Sequence, residues 1–185
     1  MNKLRVRNRN VFDMTSWSDA TKNSARRIYQ GYILLGVTTV FLYIHSYKVI
    51  RLVVLGETET ILAMLTQGLL LLIAVSVGML CLSPFMVGIF ARQNEVKRYV
   101  NQFEFLNRFI GTPLSATVSI SVVAFLVYGG LTGTLLFFFG SQPFGILDYT
   151  VLLAAIPLAV AFAYPIGFLV LRGMKHHIDL LRAQA

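Results

Sequence analysis

The chain has 185 residues, of which 56% are hydrophobic and 13% charged, with a mean hydropathy of +0.70 and a formal charge of +8. A water-soluble domain carries about 25% charged residues; these values exclude an ordinary soluble domain, and the apolar residues fall into runs too long for a soluble core. The single cysteine, Cys81, excludes an intrachain disulfide, a CxxC pair and a cysteine-based metal site.

In chain order, residues 1–14 read as a basic arm in which Lys3, Arg5, Arg7 and Arg9 alternate with Leu4, Val6, Asn8 and Asn10. The alternation suits a disordered arm beside anionic lipid, worth about 1 kcal/mol per charge, or a strand added to a partner's sheet. No aromatic is interleaved and no nucleic-acid recognition fold fits, so nucleic acid is not expected as a partner. Residues 15–27 are expected as an amphipathic helix lying at the membrane interface and running into the first span. Ser16 serves as its cap, with Asp19 in a capping-box-like position. Trp17 then belongs at headgroup level and Arg26 and Arg27 face anionic lipid, or the same surface docks a partner.

Four runs qualify as spans: residues 28–50, 60–90, 114–139 and 146–171. Each matches or exceeds a hydrocarbon core of about 30 Å at 1.5 Å per residue. The second reaches roughly 46 Å and implies a tilt, a bend near Pro84 or an inner end in the headgroup layer. Between spans two and three, residues 91–110 continue as an amphipathic cytoplasmic helix, an extension of the second span. Its apolar stripe is Val96, Tyr99, Val100, Phe103, Leu106 and Ile110, spaced to contact lipid, the chain itself or a partner. Gly111-Thr112-Pro113 breaks that helix and starts the third span. Residues 172–185 complete the chain as a cytoplasmic tail.

Seven of the sixteen Lys and Arg residues precede the first span, four lie between spans two and three, three follow the fourth, and only Lys48 and Arg51 fall on the other side. The positive-inside rule therefore predicts an all-α membrane protein of four transmembrane helices in two antiparallel hairpins, with the N and C termini cytoplasmic. A bacterial inner membrane is the expected location, with the first apolar run an uncleaved span rather than a secretory signal.

Inside the spans, small residues recur at one-turn spacing: Gly129 and Gly133 in the third, and Ala155, Ala159, Ala163 and Gly167 in the fourth. In lipid, association relies on the close backbone approach such residues permit, so these positions are expected as helix-packing contacts, chiefly between spans three and four. Ionisable groups are nearly absent from the spans. His45 reads as a hydrogen-bonded histidine near the outer end of its span, and Asp148 as a carboxylate favoured at its helix N-terminus. His176 and His177 beside Lys175 read as a cationic inner-face anchor, since adjacent helical residues diverge by about 100° and do not chelate a metal.

No catalytic, cofactor or metal site is expected, because GxSxG, HExxH, P-loop and dinucleotide motifs are absent from the sequence. The expected function is a non-catalytic membrane subunit, scaffold or assembly factor of a larger complex, such as a secretion, conjugation or envelope machine. Its expected partners are other membrane proteins, anionic lipid and a second copy of the chain. A small transporter or channel for an uncharged or lipidic solute, and an immunity protein against a membrane-active toxin, are the alternatives.

Overall fold

The computed structural model describes residues 17–56, 60–91, 96–139 and 146–184. The basic arm, Ser16, Arg92, the segment 140–145 and the packing of Gly133 lie outside the described residues.

All described elements are helical: α1 (Asp19–Leu55), α2 (Ile61–Ala91), α3 (Val96–Ile110), α4 (Pro113–Phe139) and α5 (Ile146–Gln184). Four of them, α1, α2, α4 and α5, are long and apolar enough to cross a membrane. At 1.5 Å per residue, α1 and α5 extend to about 56 and 58 Å, well beyond a hydrocarbon core of about 30 Å.

Helix α1 begins earlier than its span because Ser18, not Ser16, is the N-cap: its extended backbone (φ −62°, ψ 153°) lets the hydroxyl oxygen accept from the Thr21 amide at 3.2 Å. Asp19 in the first turn favours the helix dipole. The helix ends at Gly56, whose φ of 77° turns the chain left-handed so that its N–H reaches the carbonyls of Leu52 and Val53. At α4, Thr112 and Ser115 cap reciprocally: the Ser115 amide donates to Thr112 Oγ1 at 3.1 Å and the Thr112 amide to Ser115 Oγ at 3.2 Å. Helix α2 ends at Ala91 and α3 starts at Val96, so the expected continuity between them falls on residues 92–95, outside the described ones.

Helix α1 is the centre of the bundle, packing on α2, α4 and α5, while α5 also packs on α4. In the small-residue series of α5, Ala155, Ala159 and Ala163 are fully buried and Gly167 is buried with them. A Cβ at Gly167 would lie 3.3 Å from Thr117 and 3.4 Å from Leu35, so α1, α4 and α5 meet there. Gly129 is also buried, with Leu152 3.4 Å from where its Cβ would stand. The series thus serves α1 as well as α4.

Two contacts that sequence spacing did not single out are closer still. Gly31 of α1 lies under Met174 of α5, and Gly68 of α2 lies under the ring of His45, each leaving no room for a Cβ. Nδ1 of His45 donates to the Phe41 carbonyl at 3.0 Å, which fixes the imidazole over Gly68. Pro84 withholds the amide that would have satisfied the Leu80 carbonyl. Ser83 Oγ donates to that carbonyl at 2.7 Å instead and accepts from Gln30 Nε2 of α1 at 3.3 Å.

Gly68→Ala is expected to drive a methyl into the His45 ring and lower stability by about 1–3 kcal/mol, read as a drop in unfolding midpoint in detergent. His45→Ala in that background removes the obstruction, so the double variant should lose less than the two single losses together. Additive losses would refute the contact.

Candidate functional site

The apolar stripe of α3 decides how one end of the bundle is built. Tyr99, Val100 and Phe103 are buried, and Val96 packs beside them, while Leu106 is exposed and Ile110 half-buried. They close over the first turns of α1, the last turns of α5 and Val87 of α2. The middle helix therefore uses most of its stripe on the chain's own core.

Aromatic side chains lock this seam. Trp17 stands edge-on to Tyr99 with ring centres 5.2 Å apart, Tyr99 meets Phe103 edge-on at 4.6 Å, and Tyr32 stacks on Phe103 at 5.7 Å. The Tyr99 hydroxyl donates to the Ala25 carbonyl at 3.5 Å. Burial, followed by the neighbouring Tyr29, holds the Tyr99 hydroxyl far above the usual phenolic range, so it stays a neutral donor. Trp17, expected at headgroup level, is 5% exposed and belongs to this core. Sequence spacing does not mark Tyr29 and Tyr32, because the stripe they pack on lies about seventy residues further along the chain.

Polar ties close the same end. Thr21 Oγ1 donates to Gln184 Oε1 at 2.7 Å, joining the start of α1 to the end of α5. Arg182 pairs with Glu104 at 3.4 Å and Asp179 at 3.5 Å. Helix α5 therefore continues through the segment expected as a tail. At the opposite end, Arg51 reaches Asp148 at 3.8 Å, so this carboxylate links α5 to α1 in addition to its place in the first turn of α5.

Arg26 and Arg27 sit on the exposed side of α1 at the basic end. Between α1, α2 and α5 lies an open crevice of about 560 Å³, walled by Arg27, Gln30 and His177 toward the basic end and, further along the helices, by Leu34, Leu80 and the exposed Leu169. A more polar crevice of about 440 Å³ shares Arg27, Gln30 and His177 and adds Arg26, Asn23 and Ser24. Burial, with His176 and Arg27 adding, lowers the His177 pKa below the ordinary histidine value. The expected cationic anchor is thus, at His177, a ring biased toward the neutral form. The two histidines lie 5.5 Å apart, and no group of three potential metal ligands occurs among the described residues.

The fold and this end together define an all-helical protein compatible with a multi-pass membrane protein. No family model, curated protein or solved structure matches the chain.

Trp17, the only tryptophan, reports directly on the Tyr99 seam. Tyr99→Phe should cost about 1 kcal/mol at neutral pH. Because the unfolded chain releases the Tyr99 proton first, its contribution is whole below the ordinary value of 10.0 and falls away as pH climbs past it. Unfolding followed by Trp17 fluorescence should show that alkaline loss in the parent and a shallower one in Tyr99→Phe; equal slopes would remove Tyr99 from the seam's energetics.

Proposed function

We propose that this chain is a non-catalytic subunit, scaffold or assembly factor of a larger membrane complex. In this reading four helices cross a bacterial inner membrane as two antiparallel hairpins with both termini cytoplasmic. The distribution of Lys and Arg supports the orientation: the described basic residues gather at the end where α1 begins and α5 finishes, leaving Lys48 and Arg51 at the other.

The observation that carries the scaffold reading is the outer face of α2. In its most apolar 18-residue stretch only 11% is buried, against 28, 33 and 39% in the other three long helices. That face carries Ala74, Gly78 and Cys81, all exposed and spaced by four and three residues along one stripe. A Cβ at Gly78 would meet nothing within 4 Å. Glycine in a helix interior costs about 1 kcal/mol relative to alanine, and toward lipid it gains nothing. Toward another helix it permits close backbone approach.

The alternative of a carrier for a lipidic solute draws on an apolar groove of about 550 Å³ between α1, α3 and α4, lined by Val40, Ile44, Phe109, Val123 and Leu131 among others. The scaffold reading is preferred because lipid chains alone fill such a groove.

Cys81 offers a direct test as the sole thiol on that face. A thiol-directed crosslinker applied to native membranes is expected to trap a partner in fixed stoichiometry. Ala74→Leu with Gly78→Leu should abolish the adduct and release the partner in mild detergent while leaving the helical content unchanged. Recovery of the parent protein alone, uncrosslinked and indifferent to the double variant, would end the scaffold reading.

A further inference from the structure

The two crevices at the basic end share a wall and differ in character along their length. From Arg27 to Leu34, α1 descends seven residues, about 10 Å, and the lining passes from guanidinium and amide to leucine. On α5 the same passage runs from His177 down to Leu169. A cationic end running along the helices into an apolar, outward-open groove is the outline of an amphiphile. The volumes, about 560 and 440 Å³, lie in the range of small-molecule sites, about 300–1,000 Å³.

The cationic end lacks an anion of its own. Each described acidic residue is already in an ion pair: Asp19 with Lys22, Asp148 with Arg51, and Glu104 and Asp179 with Arg182. Arg26 and Arg27 have no carboxylate within ion-pair distance among the described residues, and no acidic residue lines either crevice; Asp19 lines only a neighbouring one on the other side of Arg26. Nδ1 of His177 is buried without a hydrogen-bond partner. A single guanidinium pairs with phosphate oxygens through two parallel hydrogen bonds, so Arg27, which lines both crevices, can hold a phosphate by itself. Gln30, at the basic end of the crevice, is fixed by its bond to Ser83 of α2, and Gly173 of α5 leaves open space, with nothing within 4 Å of where its Cβ would stand.

We propose that this crevice binds one anionic phospholipid, its phosphate held by Arg27 beside His177, with Arg26 in the adjoining crevice, and its glycerol and upper acyl chain lying on Leu34, Leu80 and Leu169. The apolar groove selects a lipid over free phosphate, because inorganic phosphate leaves that surface uncovered. The inference stands apart from the scaffold reading, since it concerns the groove between α1, α2 and α5 rather than the outer face of α2.

Three variants of the full chain separate the contributions: Arg27→Gln removes charge at the cationic end, Gly173→Leu fills the groove without touching charge, and Lys97→Gln removes an exposed charge on α3 outside both crevices. Each is purified in detergent, checked for parent-like helical content, incubated with phosphatidylglycerol or phosphatidylcholine, and read by native mass spectrometry. The parent should retain a single phosphatidylglycerol and little phosphatidylcholine. Arg27→Gln and Gly173→Leu should each weaken retention by about tenfold or more, while Lys97→Gln should match the parent. Inorganic phosphate at millimolar concentration should not displace the lipid. If either crevice variant fails to fold, the other carries the test. Retention unchanged in the folded crevice variants, an equal loss in Lys97→Gln, or full displacement by inorganic phosphate would overturn the proposal.

Discussion

Apolar burial draws helices together in water and gives no net drive between them in hydrocarbon. Helices α1 and α5 are each long enough to lie in both media, so one continuous interface must hold by two mechanisms. Along the deeper stretch it holds by closeness: Ala155, Ala159, Ala163 and Gly167 bring backbones together, and Tyr43, fully buried, satisfies itself on the Leu152 carbonyl at 3.2 Å. At the basic end it holds by burial of large side chains, with Trp17, Tyr99, Phe103, Met174 and Leu181 in one cluster.

The same division accounts for what the sequence made legible. The four long apolar helices are legible because run length is a local signal. The alanine series is legible because its four-residue period is a local signal. Gly31 and Gly68 are not, because a single glycine acquires meaning only from the side chain above it, Met174 or His45, brought there by the fold. Trp17 illustrates a different limit. Its amphipathic ring suits the interface in general, yet the α3 stripe offers it a drier surface, and which of the two it takes depends on where α3 lies. The α3 stripe itself was readable from its spacing, but its partner was not. Likewise, the helical continuation of α5 to Gln184 depends on Leu181 and Gln184 meeting the start of α1.

Helix α2 shows how a peripheral helix acquires a fixed register with little buried surface. An unsatisfied carbonyl in hydrocarbon costs several kcal/mol, so the one Pro84 frees must be answered locally. Ser83 answers it, and the same hydroxyl accepts from Gln30, which turns a defect of α2 into a tie to α1. About one-half of α2 away, the His45 ring over Gly68 supplies the second point of attachment. Two fixed points along one helix suppress both sliding and rotation, leaving the face with Ala74, Gly78 and Cys81 turned outward.

Charge asymmetry carries two kinds of information that a count alone cannot separate. Orientation in a membrane depends on how many cations lie near the ends of the spans, whatever their partners. Chemistry depends on which of those cations are already neutralised and what lies beneath them. Lys22 and Arg182 at the basic end share their charge with carboxylates of the chain, whereas Arg27 borders two crevices whose described walls contain no acid; Arg26 shares one of these and also lines a neighbouring one with Asp19. Below Arg27 the wall turns apolar within two helical turns, an arrangement a merely orienting cation does not require. The geometry under the charge, rather than its sign, is what distinguishes these two arginines from the others on the same side.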